Sequence, residues 1–290
     1  MSWRTVVISR SSKLDYQMGF MVVRQDETVK INITEIGMLI IESTAVSLTA
    51  ALLAELIKHK VKVIFCDEKR NPSSELLPYY GSHDTSAKIR QQIHWSEDVK
   101  TAVWTEIVHD KIAKQAELLK RNGHTEADLL MGYIEELQFG DSSNREGHAA
   151  KVYFNALFGK SFSRSEDNSI NAALNYGYGI ILSCFTREIA ANGYITQLGL
   201  FHDNMFNPFN LASDLMEPFR PLVDQKVLEI LPDKFEHEEK MIILELLGGT
   251  VEIAGRQELI DNAIKIYTKS IFSALNSEDV SEIKSYKNEL

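Results

Sequence analysis

The 290-residue sequence contains few of the residues that interrupt or cross-link a chain. It has two cysteines, six prolines and 15 glycines. Cys66 and Cys184 are far apart and no Cys-x-x-Cys pair occurs, which fits a reducing compartment and argues against thiolate zinc sites. With 44% hydrophobic and 25% charged residues, the composition also excludes a collagenous or broadly disordered chain. The sequence therefore predicts a folded protein with a sizeable core.

Long hydrophobic runs are absent as well. The longest stretch without a charged residue, 168–186, is interrupted by asparagine, serine and threonine, so a membrane-spanning helix would have to bury several amides and hydroxyls. The N-terminal residues turn polar after too few apolar ones to form a signal-peptide core. We therefore expect no membrane association and a cytoplasmic location.

Basic residues are in the minority. Lysine and arginine number 31 against 41 acids, a net charge of −10. The charge is +2 over residues 1–90, −4 over 91–180 and −8 over 181–290, so the acidity is mostly C-terminal. Because salt screens charges beyond about 8 to 10 Å, a polyanion would have to bind local basic patches rather than a general positive field.

The first 84 residues predict a small β-rich domain. Short β-branched runs separated by polar turns are typical of strands, and they occur at 5–8, 20–23, 29–33, 38–41 and 61–66. One amphipathic helix, which Ser47 can cap, precedes the last of these runs. Residues 67–84 are polar and contain proline and glycine, which predicts a connection and a domain boundary.

The rest of the chain has helical periodicity almost throughout. Candidate helices cover 86–93, 97–121, 126–137, 144–158, 169–191, 211–231, 238–247 and 257–275. The charged tail, 276–290, is expected to fray. The predicted fold class is α+β, with a β-rich domain over residues 1–84 followed by a larger all-α domain over residues 85–290.

Several common catalytic motifs do not occur. The sequence has no P-loop, no Gly-x-Gly-x-x-Gly that opens a helix, no His-Glu-x-x-His and no Gly-x-Ser-x-Gly. Nucleotide-fold enzymes and serine hydrolases are therefore excluded. Gly177-Tyr178-Gly179 lies inside a helical pattern, where its glycines predict close helix packing rather than a phosphate cradle.

The candidate catalytic and metal-binding residues are acids and one histidine in the second domain. Glu146 lies three residues after Ser143, which also matches a capping box, and the spacing alone favours the cap. His202 lies in a loop, where a single histidine is usually an exposed or internally satisfied side chain. Each residue therefore has an ordinary structural interpretation beside the functional one.

Asp214 and Glu217 form the third element. They are three residues apart, so they share a face if the segment is helical, yet Pro218 and Pro221 should distort the helix where Glu217 is presented. A proline beside an acid suggests a shaped site, although the pattern alone slightly favours an ordinary solvated acidic face.

These segments together resemble a known family over essentially the whole chain. The motifs that carry the resemblance are 12–16, 40–42, 47–49, 63–67, Arg145-Glu146-Gly147-His148-Ala149-Ala150, Asn171-Ala172-Ala173-Leu174-Asn175-Tyr176-Gly177-Tyr178-Gly179, Gly199-Leu200-Phe201-His202 and Asp214-Leu215-Met216-Glu217-Pro218-Phe219-Arg220-Pro221. The chain is similar to the CRISPR-associated integrases, which insert new spacers into the CRISPR array, and it looks most like the type II branch.

The resemblance implies a division of labour and a metal site. An N-terminal β domain would serve dimerisation, and an α-helical domain would carry catalysis. The metal-binding and catalytic residues of the family fall on Glu146, His202 and Glu217, with Asp214 as a nearby residue that could share or assist the last role. Two carboxylates and an imidazole suit Mg²⁺ or Mn²⁺, which would assist attack of a DNA 3′-hydroxyl on a phosphodiester.

DNA and protein partners also follow from the resemblance. Arg145, Lys151 and Arg220 flank the acids in sequence and are the candidate nucleic-acid-binding residues. The expected partners are double-stranded DNA (spacer precursor and repeat), a second copy of the chain and the small companion subunit of the adaptation complex. The type II effector nuclease and an accessory DNA-end-binding protein are further candidates. Tyr176 and Tyr178 could stack on unpaired bases, although core packing is the more common role of such residues.

Two other functions stay open at the level of sequence. The same metal site could direct water at a phosphodiester, which would make the protein a nuclease that cleaves single-stranded or branched DNA. If the acids and the histidine are only cap and surface residues, the chain would be a non-catalytic scaffold for DNA ends.

Overall fold

A computed structural model describes residues 4–78 and 82–288 of the chain. The chain divides into two compact units, residues 1–79 and residues 80–290. This division and the boundary expected at residue 84 both fall between the last strand of the first unit and the first helix of the second. Residues 1–3, 79–81 and 289–290 lie outside the described residues.

The first unit consists of short strands and one helix. Its elements are β1 (Arg4–Ile8), β2 (Ser12–Gln17), β3 (Phe20–Arg24), β4 (Thr28–Asn32), β5 (Ile36–Ile41), β6 (Val46–Leu48), α1 (Ala50–Lys58), β7 (Lys62–Cys66) and β8 (Pro72–Glu75). One sheet has the order β1-β5-β7-β8, with the first three strands parallel and β8 antiparallel. The other has the order β4-β3-β2-β6, with an antiparallel β2-β3-β4 meander and a parallel β6.

Alternating side chains of both sheets form the core of this unit. Its fully buried residues include Leu14, Ile36, Leu39, Leu52 and Val63. Leu52 and Leu56 lie one turn apart on the inward face of α1, so that helix covers the same apolar layer as the strands. The β-branched composition of the runs thus explains both the strands and their burial.

Two local predictions in this unit are wrong. Thr49, not Ser47, caps α1: its hydroxyl accepts a hydrogen bond from the Leu52 amide, while Ser47 lies in β6. The polar stretch 67–84 is not only a connection, because β8 pairs with β7 inside it. The pattern missed three strands of this unit. β6 and β8 lie at sheet edges, where polar residues are compatible with a strand, whereas β2 lies between β3 and β6.

The second unit is mainly helical. Its helices are α2 (Thr85–Ile93), α3 (Glu97–Arg121), α4 (Ala127–Glu135), α5 (Arg145–Phe158), α6 (Ser169–Ala191), α7 (Asn210–Leu215), α8 (Arg220–Ile230), α9 (His237–Leu244) and α10 (Ile260–Ser277). The structure confirms the predicted fold class. It adds a three-stranded sheet that the periodicity did not predict, formed by β9 (Thr250–Ile253), β10 (Arg256–Leu259) and β11 (Tyr286–Lys287) in the order β10-β9-β11.

Helix α6 packs against α8 and α9, and Gly177 allows their close approach. An added Cβ at Gly177 would lie 2.4 Å from Cγ1 of Val223 on α8 and 3.3 Å from Cγ2 of Ile243 on α9. Atoms that close cannot coexist, so α6 and α8 approach as they do only because residue 177 has no side chain. The interpretation of this glycine as a packing residue is confirmed.

The single helix expected over 211–231 is wrong. The segment forms the short helix α7, then a 3₁₀ turn at Glu217–Phe219, then α8. Pro218 and Pro221 each occupy a first-turn position, where the missing amide hydrogen matters least, so the chain restarts a helix there instead of continuing one. The distortion expected beside Glu217 is present.

The C-terminal tail is ordered by packing, so the expectation that it frays is wrong for residues 276–288. Tyr286 is fully buried. Its ring lies 4.7 Å from that of Phe219, and its hydroxyl donates to the carbonyl of Pro218 at 2.9 Å. The tail therefore supports the turn that carries Glu217. The last two residues of the tail lie outside the described part.

Cys66 and Cys184 are both buried and neither forms a disulfide. Within the described residues, no helix has the length and apolar character needed to cross a bilayer.

Candidate functional site

Glu146 lies in the first turn of α5, and another residue caps that helix. The carboxylate of Asp141 accepts the amide hydrogens of Arg145 at 2.6 Å and of Glu146 at 3.0 Å. Asn144 precedes the helix in a left-handed conformation, with φ 53°, and makes no side-chain cap. The capping-box interpretation of Glu146 is therefore wrong. Because Asp141 satisfies the helix terminus, the Glu146 carboxylate is available for other contacts.

Glu217 is buried, which contradicts the solvated-face interpretation. The residue is 3% exposed. Its Oε1 accepts a hydrogen bond from Nε of Arg220 at 2.8 Å, and its Oε2 lies 2.5 Å from Nζ of Lys111. Burial alone would raise the pKa of this carboxyl, but the charges of Arg220 and Lys111 outweigh it and lower the pKa to about 2. Arg220 and Lys111 therefore favour the ionised form of this buried carboxylate.

Lys111 joins the two acids. It lies on the buried face of α3 and is 7% exposed, and its ammonium contacts Oε1 of Glu146 at 2.5 Å and Oε2 of Glu217 at 2.5 Å. Burial disfavours the charged form, yet Glu217 and Glu146 together raise the pKa of Lys111. The sequence-based analysis missed this residue. Its position three and four residues after Val108 and Ile107, among apolar core positions, was the available signal.

His202 is held by a buried aspartate. Its Nδ1 lies 2.5 Å from Oδ1 of Asp214, so Nε2 is the ring nitrogen that remains for another partner. The hydrogen bond with Asp214 is the main reason why the pKa of His202 is raised, against the effect of burial. Glu217 and Glu146 raise it further, so both acids lie within electrostatic range of the imidazole.

Asp214 organises the whole loop around His202. Its Oδ2 accepts the amide hydrogens of Leu200 at 2.6 Å and Phe201 at 3.2 Å, and its Oδ1 accepts the His202 amide at 3.1 Å as well as Nδ1. An added Cβ at Gly199 would lie 2.2 Å from the His202 carbonyl and 2.8 Å from Oδ2 of Asp214. The loop can therefore wrap the carboxylate only with glycine at 199. All four hydrogen bonds occupy Asp214, which makes it a positioning residue for His202.

The structure brings the sequence-derived residues to one region without assembling a finished metal cluster. Glu146 and Glu217 share one cation, and His202 is electrostatically coupled to both. Among residues 4–78 and 82–288, no three His, Cys, Asp or Glu side chains stand close enough together to hold an ion. At this site the Lys111 ammonium lies between the two carboxylates.

The three candidate DNA-binding residues have different surroundings. Arg220 belongs to the site itself through Glu217. Arg145 forms an ion pair with Glu136 at 3.0 Å at the start of α5. Lys151 is exposed on the same helix. Their role toward DNA stays a prediction.

A cleft of about 200 Å³ opens beside the acids. It is lined by Lys111, Gln115, Ala150, Phe154, Arg164, Tyr178, Glu217, Arg220 and Asp224. The Tyr178 ring lies 4.6 Å from the Arg220 guanidinium and 5.4 Å from that of Arg164. Tyr176 and Tyr178 are both buried, at 3% and 7% exposed, which fits a packing role, and Tyr178 also lines the cleft.

Asp224 is a buried acid at the back of this cleft. Its carboxylate accepts hydrogen bonds from the hydroxyls of Tyr153, at 2.8 Å, and Tyr178. Burial raises the pKa of Asp224 to about 6, although these two hydrogen bonds oppose the rise. The cleft therefore combines three cationic side chains with one acid that titrates near neutrality.

Comparison with known proteins agrees with the resemblance found in the sequence. The sequence model of the family described as "CRISPR associated protein Cas1" matches residues 5–263. The CRISPR-associated endonuclease Cas1 of Neisseria meningitidis serogroup C (strain 8013) is 37% identical over 232 residues, which are 79% of this chain and 76% of the relative.

Two solved structures have a similar fold. A casposase bound to integration product has a TM-score of 0.77 at 18% identity, over 96% of this chain and 91% of that one. A chain of a Cas6-RT-Cas1–Cas2 complex has a TM-score of 0.76 at 19% identity; the match covers 99% of this chain and 36% of that one.

Proposed function

This chain belongs to the family of CRISPR-associated protein Cas1, and we propose from its site that it is a divalent-metal-dependent DNA integrase of CRISPR adaptation. The observation that carries the proposal is the convergence of Glu146 and Glu217 on one buried cation, with His202 held by Asp214 within electrostatic range of both acids. Two carboxylates that lie close together in a largely buried site need a positive partner, since isolated buried charges are strongly disfavoured.

The residues at this site fit Mg²⁺ or Mn²⁺. Oε2 of Glu217 is buried and lies 2.5 Å from the Lys111 ammonium, so it already holds a cation. Carboxylate oxygens are the ligands that hard cations prefer, and an imidazole adds preference for Mn²⁺. Glu146, Glu217 and Nε2 of His202 would hold the ion, which when bound polarises a phosphodiester and stabilises the developing negative charge.

The chain's own side chains prepare this chemistry. Arg220 keeps Glu217 ionised and restricts its rotamer. Asp214 fixes the ring orientation and tautomer of His202. The reaction that we propose is attack of a DNA 3′-hydroxyl on a phosphodiester at the repeat, in which one phosphodiester replaces another. Such an exchange needs positioning and charge stabilisation rather than a nucleotide cofactor.

Strand cleavage is the second candidate activity. Relatives of the chain are named endonucleases, and the Neisseria protein is one of them. The same carboxylates can serve a reaction in which water replaces the 3′-hydroxyl as the nucleophile. Product analysis separates the two activities, because integration leaves joined strands and cleavage leaves shortened ones.

The proposed partners are double-stranded DNA, a second copy of the chain and a small companion subunit. Among the related solved structures, one contains Cas1 with Cas2 and another contains a DNA integration product. With a net charge of −10, the isolated chain should bind duplex weakly and gain affinity through assembly. We include the type II effector nuclease and a DNA-end-binding protein as further candidate partners.

Single alanine substitutions at Glu146, His202 and Glu217 test the proposal. Each should reduce Mn²⁺-dependent strand joining by more than about 100-fold, because a group that stabilises transition-state charge is removed. Glu106 and His109, both exposed on α3, provide matched controls whose alanine variants should join strands at the wild-type rate.

The outcome separates three functions. Joining by folded Glu146→Ala at a near wild-type rate would show that the site assignment is wrong. Cleavage without joining by the wild-type protein would favour the nuclease. DNA binding without either reaction, unchanged in all three variants, would leave the scaffold function.

A further inference from the structure

Lys111 is a lysine in a position that helix geometry assigns to the core. Its neighbours on the buried face of α3 are Val108, Ile112 and Gln115, all 2% exposed or less. A lysine is rarely buried unless it is paired, because its ammonium loses hydration that only charged partners restore. Here the partners are Glu146 and Glu217, which are the acids that we assign to the metal.

The ammonium lies between two of the three side chains that we assign to the metal. Oε1 of Glu146 and Oε2 of Glu217 each lie 2.5 Å from the same nitrogen, so the two oxygens are at most 5 Å apart. An ion with bonds of about 2.1 Å spans oxygens up to about 4.2 Å apart. Only a small adjustment of the Glu146 or Glu217 side chain separates the arrangement around the ammonium from the arrangement around a metal ion. The ammonium and the ion would therefore compete for the same two oxygens.

We propose that Lys111 is a placeholder cation, which holds Glu146 and Glu217 in position without metal and which a divalent ion must displace. The inference rests on the proposed metal site. Lys111 also lines the adjacent cleft of about 200 Å³, so its long side chain has space into which the ammonium can move. Lys111 is thus a positioning residue that sets the affinity of the site for its ion.

The placeholder role predicts effects of opposite sign on two measurable properties. Without the ammonium, Glu146 loses this ion pair and Glu217 keeps only the one with Arg220, so the metal-free chain becomes less stable. For the same reason the divalent ion gains more by binding, since it no longer has to break two ion pairs. A purely structural role would lower stability and leave metal affinity unchanged or weaker.

The test measures the Mn²⁺ dissociation constant and the melting temperature with and without Mn²⁺ for the full chain. We expect Lys111→Met and Lys111→Gln to melt lower than wild type without metal, to bind Mn²⁺ at least about tenfold more tightly and to show a larger rise in melting temperature on adding Mn²⁺. Lys111→Arg keeps the positive charge and should retain a dissociation constant within about threefold of the wild-type value.

Lys114→Met is the matched control. Lys114 lies one turn further along α3, but its ammonium contacts Asp110 and the Tyr286 ring instead of the acids of the site. Its loss should lower the melting temperature and leave Mn²⁺ affinity unchanged. Tighter Mn²⁺ binding in this variant would show that loosening of α3, rather than removal of the placeholder, raises the affinity, and would overturn the proposal.

Two results distinguish failure of the placeholder role from failure of the metal site. If Glu217→Ala abolishes Mn²⁺ binding but folded Lys111→Met and Lys111→Gln bind no more tightly than wild type, the metal site stands and the placeholder role is wrong. If neither the wild type nor these variants bind Mn²⁺, both proposals fail.

A measurement on the wild-type protein covers the case in which the neutral variants do not fold. Acetylation of lysines, followed by mass spectrometry, should modify Lys111 slowly without metal because its ammonium is buried and paired. Saturating Mn²⁺ should increase that modification several-fold and leave the exposed Lys160 unchanged. If Lys111 is acetylated equally slowly with and without Mn²⁺, the ion does not displace its ammonium and the proposal is wrong.

Discussion

Asp214→Asn tests whether the loop around His202 is positioned by one buried charge. The two oxygens of Asp214 accept four hydrogen bonds, two each, and the residue is fully buried. In the asparagine variant one oxygen becomes an NH₂ group that faces two donors. Two hydrogen bonds to a charged acceptor, each worth about 1.5 to 3 kcal/mol, are lost. We therefore expect the free energy of unfolding to fall by roughly 3 to 6 kcal/mol.

The same substitution should impair catalysis beyond its effect on stability. Without the carboxylate, the ring of His202 loses the partner that fixes its tautomer and orientation, and changes of this kind cost about 10- to 100-fold in activity or metal affinity. The assays are urea denaturation, Mn²⁺ titration and strand joining, the last two at a temperature where the variant is folded. The exposed neighbour Asp203 is the control, since its asparagine variant should change stability by less than about 0.5 kcal/mol.

A second substitution would distort the loop through a steric clash and would leave the charge of Asp214 in place. Gly199→Ala places a Cβ 2.2 Å from the His202 carbonyl, so the backbone must move away from Asp214. It should reproduce the loss of joining. If folded Asp214→Asn joins strands within about threefold of the wild-type rate, or loses less than about 1 kcal/mol of stability, the positioning role of Asp214 is refuted.

Three further predictions concern the scaffold. Asp224 has a folded-state pKa of about 6 against an ordinary 3.8, so its contribution to stability is fully present only below about pH 4 and is lost as pH rises through 6. In urea denaturation, the free energy of unfolding of the wild type should rise by about 1 kcal/mol when the pH is lowered from 7 to 5, and that of Asp224→Asn should not. The same dependence of unfolding free energy on pH in both proteins would contradict this. Gly177→Ala should destabilise the fold by about 1 to 3 kcal/mol through its clash with Val223. Gly132→Ala, on α4, should be neutral or stabilising, because its Cβ meets nothing within 4 Å. Equal denaturation midpoints for the two variants would disprove the packing role of Gly177. A chain that begins at residue 80 should be monomeric in analytical ultracentrifugation if the β-rich unit carries the dimer interface, and a dimer of that chain would show the assignment to be wrong.

Local sequence patterns were sufficient to predict the fold class. Apolar periodicity predicted α3 and α6 to the residue, since a long helix repeats its signal over many turns. Short β-branched runs predicted β1, β3, β4, β5 and β7 of the first unit, because such a run is itself a local signal. They did not predict β2, whose sequence is mostly polar. The proline pair after Glu217 correctly predicted a distortion there, because the ring of proline has a local effect on the backbone.

Elements whose stability comes from distant contacts were missed. The strand β11 is two residues long and has no pattern of its own, and it exists because Tyr286 is buried against Phe219. The strand β8 is polar and pairs only at a sheet edge. The cap of α5 by Asp141 escaped prediction because the side chain reaches past a left-handed residue, outside the usual capping spacing.

Sequence patterns were enough to predict the two-part organisation, and the resemblance to a family was enough to single out Glu146, His202 and Glu217. The surroundings of these three residues could be learned only from the folded chain. Lys111 is 35 positions from Glu146 and 106 from Glu217 in the chain, so no local pattern could show that its ammonium bridges them. The physical reason is that burial and charge compensation depend on which side chains the packed helices bring together, and a one-dimensional pattern does not contain that information.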